Sequence, residues 1–233
     1  MPTATESLTC EFEDVGGHLI LVLGPTRALL DTGSPVTLGR QRAWEFLGAP
    51  RQLATGFGPI TMDGLSGAVG TQIDVLLGTD LLSECAFDID WPLRRVTFAG
   101  RSNDAGHAVP LTTRLGPPLA TAEFRGETLQ FVVDTGAVVS FLPQERLEGL
   151  PRIGSHRDFT VHPTIGPFDT PLYRAPLTLA GHTFDLQWGE LPDALAPLQR
   201  IAAGIVGTEL FRHYRVRFDL ANETMSLSNV ETT

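Results

Sequence analysis

Ala28-Leu29-Leu30-Asp31-Thr32-Gly33-Ser34 returns 103 positions later as Phe131-Val132-Val133-Asp134-Thr135-Gly136-Ala137. Each copy is an apolar run of strand type that ends in a carboxylate, a small hydroxyl residue and a glycine able to turn sharply. A carboxylate at the end of a strand is held rigidly. Two of them can divide acid–base work, one activating a water and the other protonating a leaving group. The same offset carries Asp31 to Leu47 onto Asp134 to Leu150 without a gap. Gln41-Arg42-Ala43-Trp44-Glu45 falls on Gln144-Glu145-Arg146-Leu147-Glu148, a polar segment that reads as one or two helical turns in both copies, with Pro143 suited to the first helical position.

A second pair of segments repeats with its own offset of 129: Leu76-Leu77-Gly78-Thr79-Asp80-Leu81-Leu82 and Ile205-Val206-Gly207-Thr208-Glu209-Leu210-Phe211. It runs on through Phe87-Asp88-Ile89-Asp90 and Val216-Arg217-Phe218-Asp219. Each half therefore reads strand, Asp-Thr-Gly, short helix, variable middle, apolar-apolar-Gly, short helix, closing hairpin. Leu8 to Glu13 and Val109 to Thr112 read as equivalent opening strands, and Gly16-Gly17 breaks the first of them.

Asp-Thr-Gly followed by an apolar-apolar-Gly element, twice in one chain, resembles the aspartic peptidases, and the retropepsin-like branch more than the pepsin-like one. The resemblance covers most of both halves. It implies an all-β fold of two pseudo-twofold-related retropepsin-like β-barrel lobes with short helices, and an active-site cleft between them. The lobes are expected over 1–100 and 119–233, with a linker and the first strand of the second lobe over 101–118, a stretch rich in turn formers. The implied activity is aspartic endopeptidase, with Asp31 and Asp134 as the catalytic pair. Gly33 and Gly136 complete the triplets, Thr32 and Thr135 hydrogen-bond across the halves, and Ser34 and Ala137 follow. A hydroxyl at Ser34 donating to Asp31 would favour the charged form there and leave the proton on Asp134.

The family places a flap where Gly56-Phe57-Gly58-Pro59-Ile60-Thr61-Met62-Asp63-Gly64-Leu65-Ser66-Gly67 lies. A glycine-rich hairpin with Phe57, Gly58, Ile60 and Met62 would close over a bound peptide. Its tyrosine of the pepsin-like branch is absent. The counterpart in the second half falls around Ile165 and Gly166, within an insertion that makes this half longer between its signature elements. Leu191 to Ala203 in that insertion carries apolar residues at helical spacing around Pro197, and is expected to pack on the outside rather than to shape the cleft.

Composition narrows the function classes. The chain has 233 residues, 24 Gly and 17 Pro scattered between short apolar runs, which favours strands and turns over helices. The net charge is −10 and all 17 basic residues are arginine, so nucleic acid is a poor partner, and neither a Gly-Lys-Ser/Thr phosphate loop nor a Schiff base is available. No apolar run reaches membrane-spanning length. The polar start Met1 to Ser7 fits a cytoplasmic protein, and Cys10 and Cys85 are expected as free buried thiols. The six histidines show no metal-ligand spacing, so no metal and no cofactor are expected, and His156 with His162 reads as part of a loop. Asp80 and Glu209 fit first-turn helix positions, and Asp90 and Asp219 hairpin turns. The expected partner is a polypeptide substrate, with one chain sufficient for activity. The alternative is a silent peptide- or protein-binding module of the same fold.

Overall fold

A computed structural model describes residues 7–58, 60–99, 107–113, 116–160, 166–212 and 214–229. The chain is built mainly of strands, and its two halves follow the same path. In the first, Leu8–Val15, His18–Leu23 and Thr26–Leu30 form an antiparallel meander. The last of these then pairs in parallel with Val75–Leu77, with Ala28 opposite Val75. In the second, His107–Thr112, Leu119–Phe124 and Glu127–Val133 form the meander. Glu127–Val133 pairs in parallel with Gly204–Val206, with Phe131 opposite Gly204. The two sequence offsets, 103 and 129, convert one register into the other.

The halves are joined edge to edge. The hairpin Ala86–Asp90/Arg95–Ala99 meets the hairpin Tyr214–Asp219/Thr224–Asn229 with Phe87 opposite Phe218 and Ile89 opposite Val216. Leu8–Val15 and His107–Thr112 close the two outer edges, giving a palindromic six-stranded sheet. The pseudo-twofold axis passes through the pair Asp88 and Arg217, which are equivalent residues and form a partly buried ion pair at 2.8 Å. Alternation sends Phe87, Ile89, Val216 and Phe218 into one core shared by both halves, all fully buried, with Phe87 and Phe218 stacked 5.0 Å apart.

The helical reading of the segment after Asp-Thr-Gly holds for Gln144–Leu147 and fails for its counterpart. Ala43–Phe46 is a strand paired with Ala49–Gln52. Phe46 alternates inward to lie edge-on to Phe98, and Leu47 and Gly48 both take positive φ, as a tight two-residue hairpin turn requires. Asp80 and Glu209 do lie in first turns, Asp80 accepting from Thr37 and Glu209 from the Gln187 backbone. Asp90 and Asp219 accept backbone N–H groups in their turns. Cys10 and Cys85 are free and buried, and burial pushes each thiol up to about 12. Among the described residues no helix is long and apolar enough to cross a membrane.

Candidate active site

The parallel strand pairs deliver both Asp-Thr-Gly triplets to the centre of the molecule, where they interlock. Thr32 N–H donates to Thr135 Oγ1 and Thr135 N–H to Thr32 Oγ1, each at 3.0 Å. The Thr32 hydroxyl donates to the Val133 carbonyl at 2.7 Å, and the Thr135 hydroxyl to the Leu30 carbonyl at 2.9 Å. Both threonines are fully buried. Each side chain thus satisfies backbone groups of the other half, which fixes the two loops relative to each other.

The glycines explain themselves by what they face. A Cβ on Gly33 would lie within 2.6 Å of the Asp134 carboxyl, and one on Gly136 within 2.9 Å of the Asp31 carboxyl. Each triplet's glycine therefore makes room for the opposite carboxylate, and the two carboxyls hydrogen-bond each other.

The surroundings of the pair are unequal. Asp31 is buried and accepts the Ser34 N–H at 2.9 Å, while Asp134 keeps part of its surface open and accepts the Gly136 N–H at 2.7 Å. Burial raises both carboxyls above the usual range. At Asp31 the Asp134 charge adds to burial, and backbone donors oppose the rise at both carboxyls. The expectation that Ser34 keeps the charge on Asp31 is corrected: the Ser34 hydroxyl donates to the Val36 carbonyl at 2.8 Å and not to Asp31. The geometry favours the proton on Asp31 and the charge on Asp134.

A cleft of about 290 Å3 opens over the pair, lined by Ser34, Pro35, Phe57, Ile60, Leu195 and Leu198 among others. Phe57 and Ile60 face each other in a short hairpin at this cleft, and Gly58 turns it with positive φ. That hairpin is short, with two-residue strands Gly56–Phe57 and Ile60–Thr61. Met62 is corrected. Thr61 caps a helix over Met62–Val69 by accepting the Gly64 N–H, and Met62, Leu65 and Val69 turn into the core beside Ile20 and Leu29. The Met-x-x-Leu-x-x-x-Val spacing carried that signal.

The second half supplies a longer hairpin, Arg152–Thr160 with Gly166–Leu179. Gly166 opens its return strand with positive φ, and Ile165 lies outside the described residues. His156 is on a strand, not a loop, and His162 lies outside the described residues. Phe159 of this hairpin packs on the first half's core cluster and on His18. The outside position expected for Leu191 to Ala203 is also corrected. Asp193–Arg200 is a 3-10 helix, and its three-residue turn puts Leu195 and Leu198 on one side, against the cleft.

Two titratable groups near the pair escaped the sequence reading. His18 is buried, and burial lowers its pKa against the pull of Asp158 and of the Gly136 backbone. Asp158, buried on the long hairpin, lines the cleft beside Asp31 and Asp134. Alternation along Arg152–Thr160 put His156 and Asp158 on one face, but nothing in the sequence said that this face meets the Asp-Thr-Gly loops.

No protein-family model matches the chain, and no curated protein matches its sequence. Among solved structures, an aspartic proteinase from Irpex lacteus aligns over 97% of this chain and 98% of its own, with a TM-score of 0.56 at 11% identity. The simian foamy virus protease aligns over 38% of this chain and 86% of its own at 19% identity. A foamy viral protease-reverse transcriptase in complex with an RNA/DNA hybrid aligns over 43% and 10% at 17% identity. Both have a TM-score of 0.29 and add no weight. The likeness is one of fold: this chain has the two-lobed, all-β fold of the aspartic proteinases.

Proposed function

We propose that this protein is an aspartic endopeptidase that hydrolyses peptide bonds of an extended polypeptide through a water activated between Asp31 and Asp134. The reading rests on one observation: two intact Asp-Thr-Gly loops, locked by reciprocal threonine hydrogen bonds, aim a mutually bonded carboxyl pair into an open cleft. Two buried carboxylates cannot both ionise at close range, so they share one proton.

Asp134, the less enclosed of the two, is the base. It takes a proton from the water as the water oxygen attacks the peptide carbonyl carbon, while Asp31 gives its proton to the carbonyl oxygen. When the tetrahedral diol collapses, the proton held by Asp134 passes to the amine nitrogen, the C–N bond breaks and a diol hydroxyl returns its proton to Asp31. The Leu195 and Leu198 side and the two hairpins hold the chain and exclude water. Action by a single chain in the cytoplasm, without metal, cofactor, nucleic acid or membrane, belongs to the same reading.

The short first hairpin favours a second reading, a peptide-binding module that leaves the dyad too poorly covered to cut. Both are tested by incubating a diverse peptide library with wild type, Asp31→Asn and Asp134→Asn from acid to neutral pH, all shown to be folded. The endopeptidase reading expects cleavage by wild type and a loss of at least about 10³-fold in each variant. Cleavage kept by either variant contradicts a shared dyad. Wild type that cuts nothing but binds a statine-containing peptide selects the binding module.

A further inference from the structure

Away from the dyad, the strands Leu8–Val15 and His18–Leu23 part like the prongs of a fork. They pair from Val15 opposite His18 to Phe12 opposite Leu21. The same register would set Glu11 opposite Val22 and Cys10 opposite Leu23, but over Leu8 to Glu11 the first strand turns to Arg95–Ala99 instead. Among the described residues, Val22 and Leu23 then pair on one side only, with Arg27 and Thr26. Between the prongs lies a cavity of about 550 Å3, lined by Leu8, Glu11, Val22, Leu23, Glu45 and Leu47 among others. Val22 is 37% exposed. A strand edge without a neighbour, carrying an exposed β-branched residue, is a template for another strand.

The second half shows what such a fork accepts. Phe12 opposite Leu21 becomes Leu111 opposite Ala120 when both residues are shifted by 99. There too the first prong leaves, pairing over His107 to Pro110 with Thr224–Asn229. The other prong runs on to Phe124, and Gly166–Leu179 enters beside it with Thr178 opposite Glu123 and Leu177 opposite Phe124. That entering strand belongs to the insertion that lengthens the second half. Among the described residues, the first half has no counterpart to it.

We propose that the fork of the first half is a docking site for an extended segment of another polypeptide, which adds as a strand to the free edge of His18–Leu23. Hydrogen bonds along the main chain supply the affinity, and side chains select the guest. The charged residues lining the cavity are Glu11 and Glu45, and no basic residue lines it. The guest that fits alternates basic with apolar residues, the basic ones meeting Glu11 and Glu45 and the apolar ones Val22, Leu23 and Leu47. A second copy of this chain, with a net charge of −10, is a poor match for the same carboxylates. None of the residues lining the fork lines the cavities at Asp31 and Asp134. Docking there is therefore independent of whether the cleft cuts a peptide or only binds it.

The probe is a synthetic peptide of alternating arginine and valine, compared with the same peptide carrying glutamate for arginine and with one N-methylated at every residue, which cannot add to a strand. Binding is read by titration and by backbone amide shifts, in wild type and in Asp31→Asn, so that a cut probe and a docked one are told apart. The arginine peptide should bind both chains, at least about tenfold tighter than either control. Its shifts should centre on Thr9 to Glu11 and Val22 to Gly24. Glu11→Gln with Glu45→Gln should weaken binding by about 3- to 10-fold. No binding, equal Kd for the three peptides, or shifts confined to Asp31 to Ser34 and Asp134 to Ala137 overturns the proposal. Self-association of wild type through the amides of Val22 to Gly24 would give the fork to a second copy and overturn the choice of guest.

Discussion

Asp31 and Asp134 sit in the same triplet and end in different surroundings, and in the proposed reaction that difference divides the tasks between them. Asp31 is the more enclosed, and burial followed by the Asp134 charge raises it well above the usual carboxylate range. A carboxyl whose folded pKa lies above its unfolded one contributes stability that is fully present below the unfolded pKa, near ~4, and is lost as pH rises through the folded pKa. Asp31→Asn removes that loss. It should raise unfolding free energy at neutral pH by on the order of 1–3 kcal/mol and change it little at acid pH, as read by urea unfolding at both. Ser34→Ala should leave the high-pH limb of peptide hydrolysis where it is, because the Ser34 hydroxyl serves Val36. A shifted limb would return the charge to Asp31. The pair itself was legible from the repeated triplet. Its asymmetry was not, because it depends on the direction of one hydroxyl and on backbone donors that the triplets share.

At the scale of elements, the cleft is covered unequally. The first hairpin is two residues a side, and Phe57 at its edge is 55% exposed. A large exposed aromatic above a cleft has more to bury on binding than it contributes to folding. Phe57→Ala should therefore weaken binding of a statine-containing peptide by about 5- to 30-fold, and shift the unfolding free energy by less than about 0.5 kcal/mol. An unchanged Kd would remove Phe57 from the substrate site. Sequence periodicity misled here for definable reasons. Gly64 and Gly67 suggested a flexible hairpin, but Met62, Leu65 and Val69 bury on one helix face and Thr61 caps it. Gln41 to Glu45 looked polar enough for a helix until Phe46 drew the strand Ala43–Phe46 into the core. Pro197 marked Asp193–Arg200 as irregular, and the 3-10 turn it favours is what aims Leu195 and Leu198 at the cleft.

Across the whole molecule, the two halves are held by the threonine exchange at one end of the axis and by the stacked Phe87 and Phe218 at the other. Thr32→Val keeps the shape, but strips the buried Thr135 N–H of its acceptor and the Val133 carbonyl of its donor. It should cost about 2–4 kcal/mol, whereas Thr32→Ser should cost much less. Phe218→Ala opens the shared core and should cost about 3–5 kcal/mol, with unfolding still a single transition by fluorescence and circular dichroism. Two separate transitions would mean that the halves fold independently. The large-scale plan was readable because both offsets survive in the strand registers. Contacts between halves, such as Phe159 against the first half's core, follow from the closed structure and leave no periodic trace.

The central claim is that residues 103 positions apart form one protonation unit. The direct measurement is a carbon-13 titration of the aspartate carboxyls in wild type, Asp31→Asn and Asp134→Asn. The account predicts that Asp31 titrates well above the usual carboxylate range in wild type, and that its midpoint falls in Asp134→Asn once the neighbouring charge is gone. Two carboxyls that titrate near ~4, each indifferent to removal of the other, would contradict it.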